Sequence, residues 1–278
     1  MDHLSTLFTH FTPSARVFFT GNLLETSSFA ASEGHGHLHV LRAGAVQLID
    51  RSGVSTTYDQ PCLLLNARPM DHRLQPVTGS GTDLVCAAID LGSELNNPLI
   101  VALPATLHIE LAALPRLAAT LQMLFEEAGQ EDSGQQAAMD RLTEYLLVLL
   151  LRHVISTGSL SAGILAGLSD ERLHKSIKAM HDRPDHPWTL EELAELAALS
   201  RARFASRFKT RTGMTPLNYL THWRIGVACS MLRKGRRIER IAEAVGYGSQ
   251  SAFTRVFTRH IGTPPQEWLA RKRDATDQ

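Results

Sequence analysis

Apolar residues in the first part of the chain recur in short runs and alternations; further on they recur at helical spacing. Between residues 15 and 110 the runs Val17-Phe18-Phe19, Leu38 to Leu41, Val46 to Ile49, Cys62 to Leu65 and Leu84 to Ile89 read as strands. Gly and Pro punctuate them at Gly34, Gly44, Gly53, Pro61, Pro69, Pro76, Gly79 and Gly81. Many short strands with turns between them predict a sandwich or small barrel. From Pro115 the period changes, and residues 115–128 and 135–155 carry apolar positions three and four apart. The polar stretch Gly129 to Gly134 joins these two segments into a helical hairpin. Residues Tyr145 to Leu151 are apolar nearly all round, which requires burial on more than one side. Packing under the barrel and a dimer interface both satisfy that requirement.

Thr157 to Gly167 is rich in small residues and nearly uncharged, the composition of an interdomain linker. From Ser169 the pattern is helical throughout. Ser169-Asp170 cap a helix that Arg183-Pro184 stop, and Thr189-Leu190-Glu191-Glu192 carries a capping signal for a short amphipathic helix. Ser200 caps the next helix, Thr215-Pro216 opens a long one, and segments 238–245 and 249–260 follow around Gly246-Tyr247-Gly248. The predicted organisation is α+β: a barrel over 1–112, a hairpin over 113–156, a linker over 157–168 and an all-α domain over 169–278.

The all-α part contains one pattern twice. Phe204, Phe208, Gly213, Pro216 and Leu220 recur as Phe253, Phe257, Gly262, Pro265 and Leu269, each at an offset of 49 residues. Leu193-Ala194 recur as Ile241-Ala242 at an offset of 48. Two equal helical units suit a partner that itself repeats, and double-stranded DNA is the first candidate.

Charge sharpens this picture. The net charge is zero, yet residues 1–170 carry 8 Lys+Arg against 17 Asp+Glu and residues 171–278 carry 20 against 11. An acidic front joined to a basic back fits a regulatory domain fused to a nucleic-acid-binding one. Apolar content of 44% and charged content of 20% exclude a disordered chain. Three widely spaced cysteines form no disulfide framework. No signal peptide is evident, and the run Leu146 to Leu151 is too short to span a bilayer, so a cytoplasmic protein is expected.

A short helix, a tight turn and a second helix with an outward polar face make a helix-turn-helix. Two residues along a helix turn it by about 200°, so Ser206 lies opposite Phe204 and Phe208, with Ala202, Ala205 and Lys209 beside it. In the second copy Arg255 lies opposite Phe253 and Phe257, with Ser251 and Thr258 beside it and Gln250 at the helix start. Arg255 suits a bidentate contact to guanine and Gln250 one to adenine. Arg201, Arg203, Arg207 and Arg259, with the amides at Ser200 and Ser249, suit phosphates.

On these residues, 169–273 resembles the DNA-binding domain of the AraC/XylS family of bacterial transcription regulators. The stretches that carry the resemblance include Trp188 to Ala194, Ser200 to Phe204, Phe208 to Pro216, Trp223-Arg224-Ile225, Ile241 to Tyr247 and Ser249 to Phe257. It implies seven helices, with the two reading helices entering successive major-groove segments, and a partner in RNA polymerase. The first reading helix departs from the commonest pattern: Ala202 and Ala205 lack hydrogen-bonding side chains, so specificity is expected to lean on the second.

Residues 15–110 resemble the cupin-type domain at the N-terminus of one branch of that family. This resemblance rests on Leu38 to Gly44, Leu63-Leu64-Leu65 with Pro69 and His72, Asp83 to Cys86, and Pro98-Leu99-Ile100 with Leu103-Pro104. It implies a small barrel whose interior holds a metal on histidines from two strands. His35, His37 and His39 alternate and so share a face. If that face is interior, His37 and His39 meet His72 and Cys86, a donor set for Zn²⁺ or another borderline divalent metal. The alternative is a set of histidines with polar partners and an inert buried Cys86. Cys86 as a redox-sensing thiol is a separate possibility, which requires a depressed pKa.

The leading expectation is a homodimeric, sequence-specific regulator whose front domain senses a small molecule, metal or oxidant. A metal-dependent cupin enzyme fused to an accessory DNA-binding domain is the alternative. Ala43 and Gly44 stand where enzymatic cupins carry a carboxylate, which counts against it. An architectural DNA-binding protein without a ligand is a third.

Overall fold

The computed structural model describes Phe8 and residues 13–77, 79, 81–91, 103–130, 132–157 and 163–276. The chain divides into two compact units, one of residues 13–93 with 103–154 and one that includes 155–278. The Pro98 to Ile100 phrase lies outside the described residues.

The first unit carries strands β1 (Ser14–Leu23), β2 (Ser27–Phe29), β3 (Gly36–Ala43), β4 (Val46–Asp50), β5 (Ser55–Tyr58), β6 (Cys62–Asn66), β7 (His72–Pro76), β8 (Thr82–Asp90) and β9 (Leu107–Glu110). They form a five-stranded sheet in the order β1-β8-β3-β6-β9 and a four-stranded sheet in the order β2-β7-β4-β5. The expected barrel is therefore open: hydrogen bonding ends at the edge strands β1, β9, β2 and β5, and no described strand belongs to both sheets. Between the sheets lies an apolar core that includes Leu41, Leu48, Cys62, Leu64, Leu74, Leu84 and Cys86. The alternate positions Leu38, Val40, Leu63, Leu65, Val85 and Ala87 are buried as well. Burial on both faces explains why β3 and β6 read as continuous apolar runs rather than alternations.

Helices α1 (Ala118–Ala128) and α2 (Gln135–Thr157) form the expected hairpin in this same unit. Asp140 accepts the Val17 N–H at 2.8 Å and Gln136 donates to the Val17 carbonyl at 2.7 Å, tying α2 to β1. Leu146, Leu147, Leu150, Leu151 and Val154 are fully buried within the single chain, so intrachain packing accounts for the apolar run. Met123 and Tyr145 stay exposed on the hairpin. No described helix is long and apolar enough to cross a membrane.

The second unit contains α3 (Ile164–Leu168), α4 (His174–Asp182), α5 (Leu190–Leu196), α6 (Arg201–Thr212), α7 (Pro216–Arg233), α8 (Ile238–Ala244), α9 (Gln250–Ile261) and α10 (Pro265–Thr276). The seven expected helices are α4 to α10; α3 is additional. It lies within the stretch 157–168 read as a linker, of which 158–162 lie outside the described residues. A Cβ on Gly167 would come within 2.7 Å of Ile177 Cδ1 and 2.8 Å of Thr212 Cγ2. Gly167 thus serves close helix packing against α4 and α6. At the centre of this unit Trp223 of α7 is fully buried, with the His181 ring stacked on it at 3.8 Å.

Candidate DNA interface and histidine cluster

Each helix-turn-helix is built from the positions the repeat marked. In the first, Thr189 Oγ1 accepts the Glu192 N–H and the Glu192 carboxylate accepts the Thr189 N–H, a capping box that starts α5. Phe204 and Phe208 are fully buried with ring centroids 5.5 Å apart, and Phe253 and Phe257 repeat this at 5.5 Å. Both reading helices, α6 and α9, end on a left-handed glycine, Gly213 at φ 79° and Gly262 at φ 88°.

The outward positions are where the sequence put them. Arg201, Ala202, Arg203, Ser206 and Lys209 are exposed on α6, and Ala205 is half-buried. Ser249, Gln250, Ser251, Arg255 and Arg259 are exposed at and along α9. Thr254 joins this second face, a contribution that its place beside Phe253 obscured.

Two assignments change. Ser249 Oγ accepts the Ala252 N–H at 3.2 Å, but Ser200 makes no side-chain cap bond. Arg207 does not stand free for a phosphate. Its Nε lies 3.1 and 3.0 Å from the two oxygens of Asp170 and its Nη2 2.9 Å from Oδ2. Asp170 is 2% exposed, accepts the Arg172 and Leu173 N–H groups, and has Arg211 Nε at 3.3 Å. Burial alone would push this carboxyl up; the Arg207 guanidinium and the two N–H groups outweigh it and hold it below the usual range. Arg201 is ion-paired with Glu191.

Within the second compact unit, Arg224 of α7 links the two helix-turn-helix motifs, a role its sequence position did not disclose. Its Nε donates to the Pro184 carbonyl at 2.6 Å and its Nη2 to the His186 carbonyl at 2.8 Å, ahead of the first unit. Its guanidinium also lies 5.7 Å from the Tyr247 ring in the turn of the second.

In the first unit of the chain the predicted histidines do meet. The register sets His39 opposite Cys86, and His37 one step along the same face. His72 comes from the other sheet, opposite Phe29. His72 Nδ1 lies 3.0 Å from the Met70 carbonyl, which only accepts, so this nitrogen carries the proton. In that tautomer His72 accepts at Nε2 from His39 Nε2–H at 3.0 Å, and His39 accepts at Nδ1 from the Cys86 thiol at 3.1 Å. A neutral His39 and a protonated Cys86 agree with burial: it holds His39 well below the ordinary value, helped by His72 and His37, and pushes the Cys86 thiol up. A raised thiol pKa is the opposite of what a redox-sensing cysteine needs.

As a metal centre the cluster fits in part. Among the described residues no three His, Cys, Asp or Glu side chains stand ready as ligands. A tetrahedral zinc with Zn–N of about 2.0–2.1 Å spaces its nitrogens roughly 3.3 Å apart, close to the 3.0 Å between His39 and His72 Nε2. The His37 ring centroid is 5.2 Å from that of His72 and 5.9 Å from that of His39, a span one ion can bridge after a small ring rotation. Cys86 does not fit, because it meets His39 at Nδ1, the nitrogen on the opposite edge of the ring from His72. His35 stands 4.9 Å from His37 by ring centroids and is only half-buried.

Comparison with known proteins covers both units. A cupin family model matches residues 2–156 and a helix-turn-helix domain model matches residues 193–271. A putative AraC-like transcription regulator of Streptomyces lividans is 36% identical over 208 residues, 73% of this chain and 68% of that protein. The RCS-specific HTH-type transcriptional activator RclR of Escherichia coli K12 is 30% identical over 283 residues, 98% of this chain and 99% of the relative. The crystal structure of unsaturated fatty acid-bound ToxT from Vibrio cholerae shares 15% identity over 93% of this chain and 94% of its own, at a TM-score of 0.41.

Proposed function

The chain belongs to the AraC-like transcription regulators that carry an N-terminal cupin domain, and we propose that its α6 and α9 enter successive major-groove segments of its operator. It is a sequence-specific DNA-binding regulator with a sensing front domain. Relatives spanning both domains are named as regulators, which sets aside the cupin-enzyme alternative. The observation that carries the groove assignment is the pair of reading helices, each anchored by two buried Phe with its opposite face exposed. Arg255 pairs with a guanine edge and Gln250 with an adenine edge, while Arg203, Lys209 and Arg259 hold phosphates. Ala202, Ala205 and Ser206 give a close but weakly selective fit, with Ser249 and Ser251 at the start of the second contact. Footprinting on the chain's own promoter region tests this; protection no stronger than on random DNA, at salt that suppresses nonspecific binding, contradicts it.

Exposed Met123 and Tyr145 on the hairpin support a homodimer, which would present four reading helices. RNA polymerase is the further partner, and DNA as the ligand sets the protein's work in the cytoplasm.

In the front domain, we propose, His37, His39 and His72 would hold a divalent metal, zinc or a similar borderline ion. When bound, the ion supplies a fixed positive charge and an open coordination position. To bind through Nε2, His39 would carry its proton on Nδ1, and that N–H would donate a hydrogen bond to Cys86 Sγ. Cys86 is thus a positioning residue behind His39 rather than a ligand. Metal analysis of the full-length protein separates the roles. His37→Ala, His39→Ala and His72→Ala are expected to lose the ion and Cys86→Ser to keep it; equal content in all four variants contradicts the site.

A further inference from the structure

Between β1 and the start of α2 lies an open cleft of about 610 Å³, lined among the described residues by Arg16, Val17, Phe18, Phe29, His35 and Gln136, with Ser28 and Ala88. A β-bulge builds it. The β1–β8 ladder pairs Val17 with Ala87 and Phe19 with Cys86, which leaves Phe18 as the inserted residue. Phe18 is 49% exposed, an unusual state for so large an apolar ring, with its centroid 6.0 Å from Phe29 and 6.1 Å from His37. Phe29 is the lid of the histidine cluster, 4.7 Å from His72 and 4.9 Å from both His37 and His39 by ring centroids. At the same bulge the backbone of Val17 turns to α2, where Asp140 and Gln136 hold it and Gln136 also donates to Asp140 at 2.9 Å.

The cleft therefore combines an exposed aromatic wall, two side chains able to carry positive charge, Arg16 and His35, and no carboxylate among its lining residues. Its volume is that of a site for one small molecule. An apolar ring would cover Phe18 and remove it from water, and an anionic group would pair with the exposed Arg16 guanidinium at the cleft wall. We propose that this cleft binds a small planar apolar anion and that its occupancy is passed to α2 through the Gln136–Val17–Asp140 latch. The proposal rests on the sensing role of the front domain and names where, and for what chemistry, sensing begins.

Calorimetric titration of the full-length protein with naphthalene-2-sulfonate, and with neutral 2-naphthol beside it, tests the site. Saturable sulfonate binding is expected; Phe18→Ser weakens both probes by about fivefold or more, and Arg16→Gln weakens the sulfonate alone by a similar factor. No saturable sulfonate binding, or affinities unchanged in both variants, overturns the site. Hydrogen exchange at the Val17 amide tests the latch: a bound probe is expected to change its rate, as Gln136→Ala does without probe. Unchanged exchange with the probe bound overturns the passage to α2. Promoter activity that responds to neither probe nor variants, with calorimetric binding intact, upholds the cleft while counting against the sensing role.

Discussion

In the first reading unit Arg207 and Arg211 turn inward to the buried Asp170 and Arg201 turns to Glu191, whereas in the second Arg255 and Arg259 stand exposed along α9. Beneath the surface the two units repeat each other in Phe pair, glycine cap and turn. On α6 Arg207 and Arg211 thus help hold the domain together and Arg203 and Lys209 stay outward, whereas on α9 both Arg255 and Arg259 are left for a partner. Equal scaffolds with unequal surfaces point to a division of labour: α6 docks and α9 selects.

The scaffold comparison carries the largest expected effect. Phe204→Ala and Phe253→Ala each remove a fully buried ring and should each cost about 3–5 kcal/mol in denaturant unfolding. Costs that differ widely would break the equality of the two scaffolds. Asp170→Ala should cost about 2 kcal/mol, below the range for a fully buried pair because Arg207 is half exposed. No such effect is expected from any single carboxylate in the second unit. The same carboxyl gives the first unit an acid limb. Its pKa is lowered on folding, so its contribution is present above about pH 4 and lost as pH falls through the lowered value. Asp170→Asn should flatten that limb, and an unchanged acid limb would show the ion pair to be idle. Arg255→Ala should weaken specific DNA binding by about 1–3 kcal/mol, read as an operator-to-random affinity ratio at fixed salt. Ser206→Ala on α6 should move the same ratio by less than about 0.5 kcal/mol.

Much of this arrangement was legible in the sequence, and the parts that were not share a cause. The Phe pairs, the Thr189 capping box and the Ser249 cap are local signals, and they stand in the fold as read. β2, β5, β7 and β9 carry Ser-Ser-Phe, Ser-Thr-Thr-Tyr, His-Arg-Leu-Gln-Pro and Leu-His-Ile-Glu, too short or too polar for periodicity to mark. Their partners define them, and those partners lie far along the chain. The same holds for Asp170: its bonds to the N–H groups of the turn before α4 are local, but its ion pair reaches 37 residues to Arg207. Gly167 looked like linker composition because a glycine needed for close packing and one needed for flexibility are the same letter. The histidine cluster was half legible. Alternation placed His37 and His39 on one face, yet nothing in spacing could show that Cys86 meets the far nitrogen of His39.

The division of labour is tested most directly by selecting binding sites from a randomised DNA library with the full-length protein and with Arg255→Ala. The expected result is two windows in successive major-groove segments. One is rich in sequence information, including a guanine that Arg255→Ala releases; the other is nearly indifferent to sequence and unchanged by that substitution. Equal information in both windows, or a preference that survives Arg255→Ala, would contradict the account.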